Sequence, residues 1–412
     1  MGFALANLAA ARLHAFACGR WQEHGLRAAL SQEMKKPRLE DLIRPDRLLS
    51  AMHTCENGVR WKASVQRFEV DTLRWAAGLR NDLRDGIYRS KGFRCFDIVE
   101  RGKPRHIQAV HISERTAQKL FCLHALTPVI GPRLIYDNSA SQAGKGTEFA
   151  LKRLVEHLRW HLARYGRQGF VVIMDYHGFF DSIPHKAVID AMTTGQTDPR
   201  ICCYIADFVN AFDGDRGLGL GSETSQVGAA CYPTPIDKFA KEVLRIHCYA
   251  RYNDDSYMIL PTRAEAEHCL QELTRKAAEY GLEVHPRKTK IHNLASDDFV
   301  FLKKRVHITD TGRIVLRLTR ANISREEKRI RMQRAEYDAG RMDPSVILQS
   351  YQCWRSYAQK YNAYGAVSKM DTFFTEAMGD ALGPDRTNYG HPRSKRNERK
   401  RNAEEATDSA KD

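Results

Sequence analysis

Residues 249–260 read Tyr-Ala-Arg-Tyr-Asn-Asp-Asp-Ser-Tyr-Met-Ile-Leu, two β-rich runs that meet at Tyr252-Asn253-Asp254-Asp255. The pattern predicts a hairpin with adjacent carboxylates at its tip. Asn and Asp favour tight turns, so the tetrapeptide alone suits an ordinary turn equally well. A second acidic position upstream shifts the balance. Phe170-Val171-Val172-Ile173-Met174 is apolar enough for a strand buried on both faces, and Asp175 follows it directly, where a central strand ends and side chains can converge on a site.

Carboxylates brought together from separate strands suit nucleotidyl transfer. That reaction uses two divalent ions about 4 Å apart, which activate an attacking hydroxyl and stabilise a leaving pyrophosphate. Asp175 and Asp254 are the natural pair, with Asp255 beside them. Between the two sites lies Gly217-Leu218-Gly219-Leu220-Gly221-Ser222-Glu223-Thr224-Ser225-Gln226, followed by a helical stretch to about Leu244. Its glycines let backbone approach a ligand closely, and Ser222, Thr224 and Ser225 can cap a helix whose N-terminus favours phosphate. An ordinary glycine loop before a capped helix reads the same way.

Across roughly residues 60–365 the chain resembles reverse transcriptases. The Asp175 segment, continuing Tyr176-His177-Gly178-Phe179-Phe180-Asp181, looks like their first catalytic motif, and Tyr252-Asn253-Asp254-Asp255 looks like their Tyr-x-Asp-Asp box. The glycine-rich segment is similar to their template- and nucleotide-positioning loop. Lys103-Pro104-Arg105 and Ser113-Glu114-Arg115 resemble basic fingers motifs, and Tyr136-Asp137-Asn138-Ser139 with Gly144-Lys145-Gly146-Thr147 resembles the next fingers segment. Downstream, 281–290 looks like the motif whose lysine approaches pyrophosphate, here Lys288. Phe299-Val300-Phe301-Leu302-Lys303 looks like a primer-grip hairpin, and Ser350-Tyr351-Gln352-Cys353-Trp354 resembles a thumb signature.

The resemblance implies an α+β, right-hand polymerase fold with fingers, an RRM-like antiparallel-sheet palm and a helical thumb. It implies RNA-directed DNA synthesis with two Mg²⁺ ions, or Mn²⁺, from an RNA template, a DNA or RNA primer and dNTPs. Asp175, Asp254, Asp255 and the Tyr176 backbone carbonyl would bind metal. Lys103, Arg105, Arg115, Phe180, Gly221, Ser225 and Gln226 would bind the nucleotide. Phe180 stands where the family places a ring that collides with a 2′-hydroxyl, which argues against a viral-type RNA-dependent RNA polymerase.

Departures from the common pattern narrow the type. Where most reverse transcriptases have Gln-Gly-x-x-x-Ser-Pro, this chain has Leu220-Gly221-Ser222-Glu223-Thr224-Ser225-Gln226. That variant resembles the enzymes of diversity-generating retroelements, which work with a small basic accessory protein. It also resembles reverse transcriptases of bacterial and prophage antiviral defence, which copy a noncoding RNA. Asn253 replaces a residue that is usually small or apolar, with a possible bearing on fidelity. An alternative of another class is a catalytically idle RNA-binding protein, disfavoured because all three aspartate positions are filled.

A formal net charge of +15 over 412 residues implies a polyanionic partner, because phosphate neutralisation supplies most sequence-independent affinity. A hydrophobic content of 42% is that of a globular chain. Ten scattered cysteines without a Cys-x-x-Cys suit reduced thiols in a cytoplasmic protein. No His or Cys spacing fits zinc, and His177 and His185 read as packing or phosphate-neighbour residues. No apolar run reaches membrane-spanning length, and the apolar start, interrupted by Arg12 and His14, reads as a short helix rather than a signal peptide.

Motif order predicts an N-terminal helical extension over 1–60, fingers over 61–167, a palm over 168–318, a helical thumb over 319–382 and a disordered basic tail over 383–412. Helices are expected over 68–84, Thr147–Tyr165 and 320–341. The last carries Arg320, Arg325, Lys328, Arg329, Arg331 and Arg334, expected on one duplex-facing side, or else as a solvated face paired locally with Glu326 and Glu327.

Overall fold

The computed structural model describes residues 36–382, Arg101 excepted. The expected helix at the extreme N-terminus and the expected tail over 383–412 lie outside the described residues. The chain is α+β, and its described residues divide into two compact units, 36–133 with His185–Gly228, and Leu134–Pro184 with 229–382.

In the first unit the Pro45–Glu56, Thr72–Arg84 and Ile112–Phe121 helices pack together through Leu48, Met52, Leu83, Leu120 and Phe121, all fully buried. The helix expected over 68–84 is interrupted. Asp71, at φ −113° and ψ 29°, separates an Ala63–Val70 helix from Thr72–Arg84. Strands β1 (Phe93–Glu100) and β2 (Lys103–Val110) form an antiparallel hairpin, exposed over most of its length. Its base is anchored where Phe93 stacks on Phe212 at 4.6 Å and the Gln108 N–H donates to the Leu220 carbonyl at 2.9 Å.

The second unit is built on four antiparallel strands, β3 (Phe170–Met174), β4 (Cys248–Tyr252), β5 (Asp255–Leu260) and β6 (Lys290–Asn293), in the order β4-β5-β3-β6. The central position of β3 explains its unbroken apolar run, since both its faces are covered. On one face Val171, Ile173, Tyr257 and Ile259 pack with Leu151, Leu154 and Leu158 of the Thr147–Tyr165 helix. The other face carries the Arg263–Glu279 helix. That helix starts with a capping box, in which the Glu265 N–H donates to Thr262 Oγ1 and the Thr262 N–H donates to Glu265 Oε2, each at 3.2 Å, satisfying two of the N–H groups orphaned at a helix start.

A second sheet, β7 (Phe299–Phe301), β8 (Lys304–Ile308) and β9 (Ile314–Leu318), continues the same core. Its first hairpin turns on Leu302 and Lys303 at φ 44° and 64°, left-handed at both positions although neither is Asn or Gly, the residues that normally signal such a turn. Helices Arg320–Asp338, Pro344–Gln359 and Tyr364–Leu382 complete the unit. The expected thumb signature is core: Tyr351 stacks on Phe374 at 4.0 Å, and Trp354 Nε1–H donates to Asn322 Oδ1 at 3.2 Å.

Two boundaries differ from those motif order suggests. The unit carrying the four-stranded sheet begins at Leu134, not at 168, because the 136–139 segment extends that sheet. The Ser139 N–H donates to the Arg251 carbonyl at 3.0 Å and the Arg251 N–H to the Asp137 carbonyl at 3.1 Å. Asp137 is in turn held by Arg153 at 2.6 Å and Lys241 at 3.0 Å. Conversely, His185–Gly228 groups with the N-terminal unit. The helix expected to run to Leu244 is likewise broken. It ends at Cys231, and after Pro233, which lacks an N–H to extend it, Thr234–Lys238 and a π-helical Phe239–Val243 follow.

Candidate active site

The register that pairs Met174 with Ser256 brings Asp175, one residue beyond β3, level with Asp255 at the start of β5. Tyr252 pairs with Asp255, so Asn253 and Asp254 are the two-residue turn of the β4–β5 hairpin. Asn253 sits at φ 52°, a left-handed conformation that Asn tolerates better than any other residue except Gly. This backbone demand accounts for a polar residue where the resemblance leads one to expect a small or apolar one.

The three carboxylates are electrostatically coupled. Burial, then the charges of Asp254 and Asp175, push the Asp255 carboxyl up to about 7, opposed only in part by Lys288. The Lys288 ammonium donates to both Asp175 oxygens, at 2.7 and 2.8 Å. Lys288 reaches this position because Asp175, Tyr176 and His177 pair antiparallel with Glu283, Val284 and His285. The His285 N–H donates to the Asp175 carbonyl, and the His177 N–H to the Glu283 carbonyl, both at 2.8 Å. Tyr176 and Val284 thus face each other at a non-hydrogen-bonded position, which leaves the Tyr176 carbonyl outside the pairing. Among the described residues no group of three or more His, Cys, Asp or Glu side chains is drawn into a metal cage. Lys288, rather than further ligands, closes on Asp175.

Protonation of Asp255 sets a pH dependence of stability. The folded-state carboxyl keeps its proton to about pH 7, whereas an unperturbed one releases it near 3.8. Folding therefore takes up a proton between these values, stability falls as pH rises through that window, and the cost persists above it. At 1.36 kcal/mol per unit the cost is at most about 4 kcal/mol. Asp255→Asn is expected to raise the melting temperature at pH 8 and to lose that advantage below pH 4. Parallel melting profiles across the range would rule out the coupling.

Phe180 lies on a single-turn Phe179–Ser182 helix entered through Gly178 at φ 53°. Phe179 is buried, and the Phe180 ring meets it edge-on at 5.4 Å while remaining partly exposed. His177 is exposed, with its ring 5.5 Å from that of His285.

The remaining predicted nucleotide contacts lie in the first unit. Lys103 and Arg105 are exposed on β2, with Arg105 Nε 2.9 Å from Glu100 Oε2, and the Arg115 side chain is exposed. Gly221, at φ 117°, runs beside β2 so closely that a Cβ would meet the Gln108 carbonyl oxygen at 3.0 Å. Ser222 is the helix cap. Its Oγ donates to Gln118 Oε1 at 2.9 Å and accepts from the Ser225 N–H at 3.5 Å. The Ser225 hydroxyl is buried without a protein partner, and Gln226 is half-buried. His185 is a packing residue, with Nε2 2.8 Å from the Gly217 carbonyl oxygen.

The six basic residues of the Arg320–Asp338 helix do not share one side. At ~100° per residue, Arg329 and Arg334 flank the buried Ile330 stripe from opposite directions. Arg329 pairs with Glu326 at 2.6 Å, and Arg334 pairs with Asp338 and Asp380 at 2.9 and 2.5 Å. Arg331 lies over the Phe373 ring at 5.1 Å. Arg320, Arg325, Lys328, Arg329 and Arg331 are exposed, and Arg334 is half-buried.

Sequence reasoning passed over Arg251 and Asp237, both fully buried. The available signal was an arginine inside an otherwise apolar and aromatic strand.

Residues 93–328, more than half of the chain, match the reverse transcriptase (RNA-dependent DNA polymerase) family. The chain is 25% identical over 167 residues to the "Retrovirus-related Pol polyprotein from type-1 retrotransposable element R2" of Bradysia coprophila, a match covering 36% of this chain and only 19% of that polyprotein. Two telomerase structures are distant likenesses. That of Candida albicans with a fragment of telomeric RNA has TM-score 0.44 and 9% identity, over 71% of this chain and 59% of that one. That of apo Candida tropicalis telomerase has TM-score 0.42 and 14% identity, over 54% of each chain. Neither likeness is close enough to bear on the site. The family match, over residues that include both acidic strand ends and the glycine-rich segment between them, establishes that this chain belongs to the reverse transcriptase family.

Proposed function

We propose that this chain copies RNA into DNA by extending a primer with dNTPs, with catalysis at Asp175, Asp254 and Asp255. The observation that carries the reading is the coupled carboxylate cluster, in which Asp255 is pushed up to about 7 by burial and by its two acidic neighbours. Such a donor set fits divalent cations, since hard oxygen ligands with excess negative charge are what Mg²⁺ or Mn²⁺ requires. Asp175, Asp254, Asp255 and the Tyr176 carbonyl would hold them. Bound there, the ions supply positive charge that activates the primer 3′-hydroxyl and offsets charge on the departing pyrophosphate.

The chain's own groups position the reactants. Lys288 neutralises Asp175 and is assigned to the departing pyrophosphate. Lys103, Arg105 and Arg115 are assigned to the triphosphate, and Gly221, Ser225 and Gln226 to the templating base and nucleotide. Phe180 excludes the 2′-hydroxyl. Arg320, Arg325, Lys328, Arg329 and Arg331 are the exposed thumb cations assigned to template–primer phosphates, with Arg334 holding the helix to Asp380. Most of the rate enhancement comes from positioning and charge stabilisation.

Purified protein given an RNA template, an annealed DNA primer, dNTPs and Mg²⁺ is expected to extend the primer in a template-dependent way and to stop when the metal is chelated. Absence of extension with either DNA or RNA primers would remove the activity and leave an RNA-binding role.

The Leu220-Gly221 and Ser225-Gln226 pattern supports a diversity-generating retroelement, with antiviral defence by copying a noncoding RNA as the alternative on the same residues. The similarity to an R2 retrotransposon polyprotein favours a third context, a mobile element. Sequencing the nucleic acid that copurifies distinguishes a repeat-derived template, a structured noncoding RNA and the element's own transcript. Among the described residues no helix is long and apolar enough to cross a membrane, and the nine described cysteines are free thiols.

A further inference from the structure

Beneath the catalytic hairpin lies a buried ion pair that no step above uses. Arg251, on β4, and Asp237, on the Thr234–Lys238 helix, are both fully buried. Arg251 Nε–H donates to Asp237 Oδ1 at 2.8 Å, and Nη2–H donates to Oδ2 at 2.7 Å. The Tyr249 hydroxyl donates to the same carboxylate at 2.8 Å. The guanidinium also reaches backbone, Nη1–H donating to the Asn253 carbonyl at 3.1 Å and Nη2–H to the Ala230 carbonyl at 2.8 Å. Asn253 is the left-handed first residue of the turn, and its carbonyl belongs to the peptide unit that leads into Asp254.

Energetics make this arrangement costly unless it serves geometry. Removing two charges from water costs several kcal/mol per ion, and a well-packed apolar replacement is often as stable or more so. A single guanidinium here ties together the turn of the metal-binding hairpin, the end of the Glu223–Cys231 helix and the helix that follows it. Lysine, a point charge without a planar fork, cannot make these bonds at once. Asp237, oriented by Tyr249, sets the plane of the fork.

We propose that Arg251, held by Asp237, is a positioning residue that fixes the Asn253–Asp254 peptide so that Asp254 and Asp255 present their carboxylates to the metal ions. This rests on the carboxylate assignment above. Its role differs from general stabilisation, because the bond to the Asn253 carbonyl acts on the ligands of the ions and not on the affinity for RNA.

The test uses the full chain, with Mg²⁺ titrated in primer extension and with melting temperature and RNA affinity measured at fixed salt. Arg251→Lys is expected to bind RNA as the native protein does, to lower kcat roughly 10- to 100-fold, the usual loss when a group that orients metal ligands is removed, and to need more Mg²⁺ for half-maximal rate. Should that variant fail to fold, Arg251→Met with Asp237→Leu and Tyr249→Phe removes the charges as a set. It is expected to melt near the native temperature while showing the same loss of rate and the same shifted Mg²⁺ dependence. Native kcat and Mg²⁺ dependence in a folded variant, or a rate that falls only in proportion to the folded fraction, overturns the proposal. Asp254→Ala assayed alongside separates the two readings. If it is fully active the carboxylate assignment itself fails; if it is inactive while the Arg251 variants behave as native, only the positioning role fails.

Discussion

Replacing Asp254 and Asp255 together with alanine is expected to abolish deoxynucleotide incorporation, by at least roughly a thousandfold, or about 4 kcal/mol of barrier, while the protein stays folded and bound to RNA. The loss follows from removing two of the three carboxylates of a cluster in which burial, and then mutual repulsion, push Asp255 up to about 7. That same repulsion predicts a less intuitive result. The double variant should melt no lower than the native protein at pH 8, since it relieves a strained cluster of charge, as is common where activity requires an arrangement that stability disfavours. RNA affinity should hold because the cations proposed for the template–primer phosphates lie elsewhere, on the Arg320–Asp338 helix. The measurements are primer extension under Mg²⁺, thermal melting and RNA binding at one salt concentration. Extension comparable to that of the native protein would sink the catalytic assignment.

The second large effect concerns sugar choice. Phe180→Val is expected to raise the use of ribonucleotides relative to deoxynucleotides by roughly 10–200-fold, the range over which a pocket contact typically discriminates small substituents. Phe180 is suited to the experiment because it is only partly buried and rests edge-on against Phe179, so truncating it opens no core cavity. Phe179→Ala, at a buried ring, should instead destabilise the protein by about 3–5 kcal/mol. Matched single-nucleotide insertion assays decide the matter. Equal discrimination by native protein and Phe180→Val would show that another group excludes the 2′-hydroxyl.

The parts of the site that were legible in the sequence are those encoded by short, contiguous patterns. The unbroken apolar run 170–174 marked a doubly covered strand because a central strand must be apolar on both faces. Asn253-Asp254 marked a turn because few residues accept its backbone. The Thr147–Tyr165 helix was legible throughout, since its apolar stripe faces one continuous core. Helices were misjudged where a single residue overrode the pattern, at Asp71 and Pro233. The Leu302-Lys303 turn was anticipated only through the resemblance of 299–303 to a primer-grip hairpin, because packing of β7 and β8 imposes a left-handed conformation that its own residues do not favour.

The sequence by itself determined which carboxylates stand at strand ends, the order of the motifs and the family to which they belong, because each is a local arrangement of a few adjacent residues. Only the tertiary structure decided what those residues experience. Burial raised the proton affinity of Asp255, helped by Asp254 and by Asp175, which the β3–β5 register set beside it. The pairing of 175–177 with 283–285 delivered Lys288 to Asp175. Folding also buried Arg251 against Asp237 under the turn, and paired Arg334 with Asp380 of another helix in its own unit. These outcomes depend on distance and dielectric, and Asp175 lies too far along the chain from both Lys288 and Asp255 for one window of sequence to contain the partners.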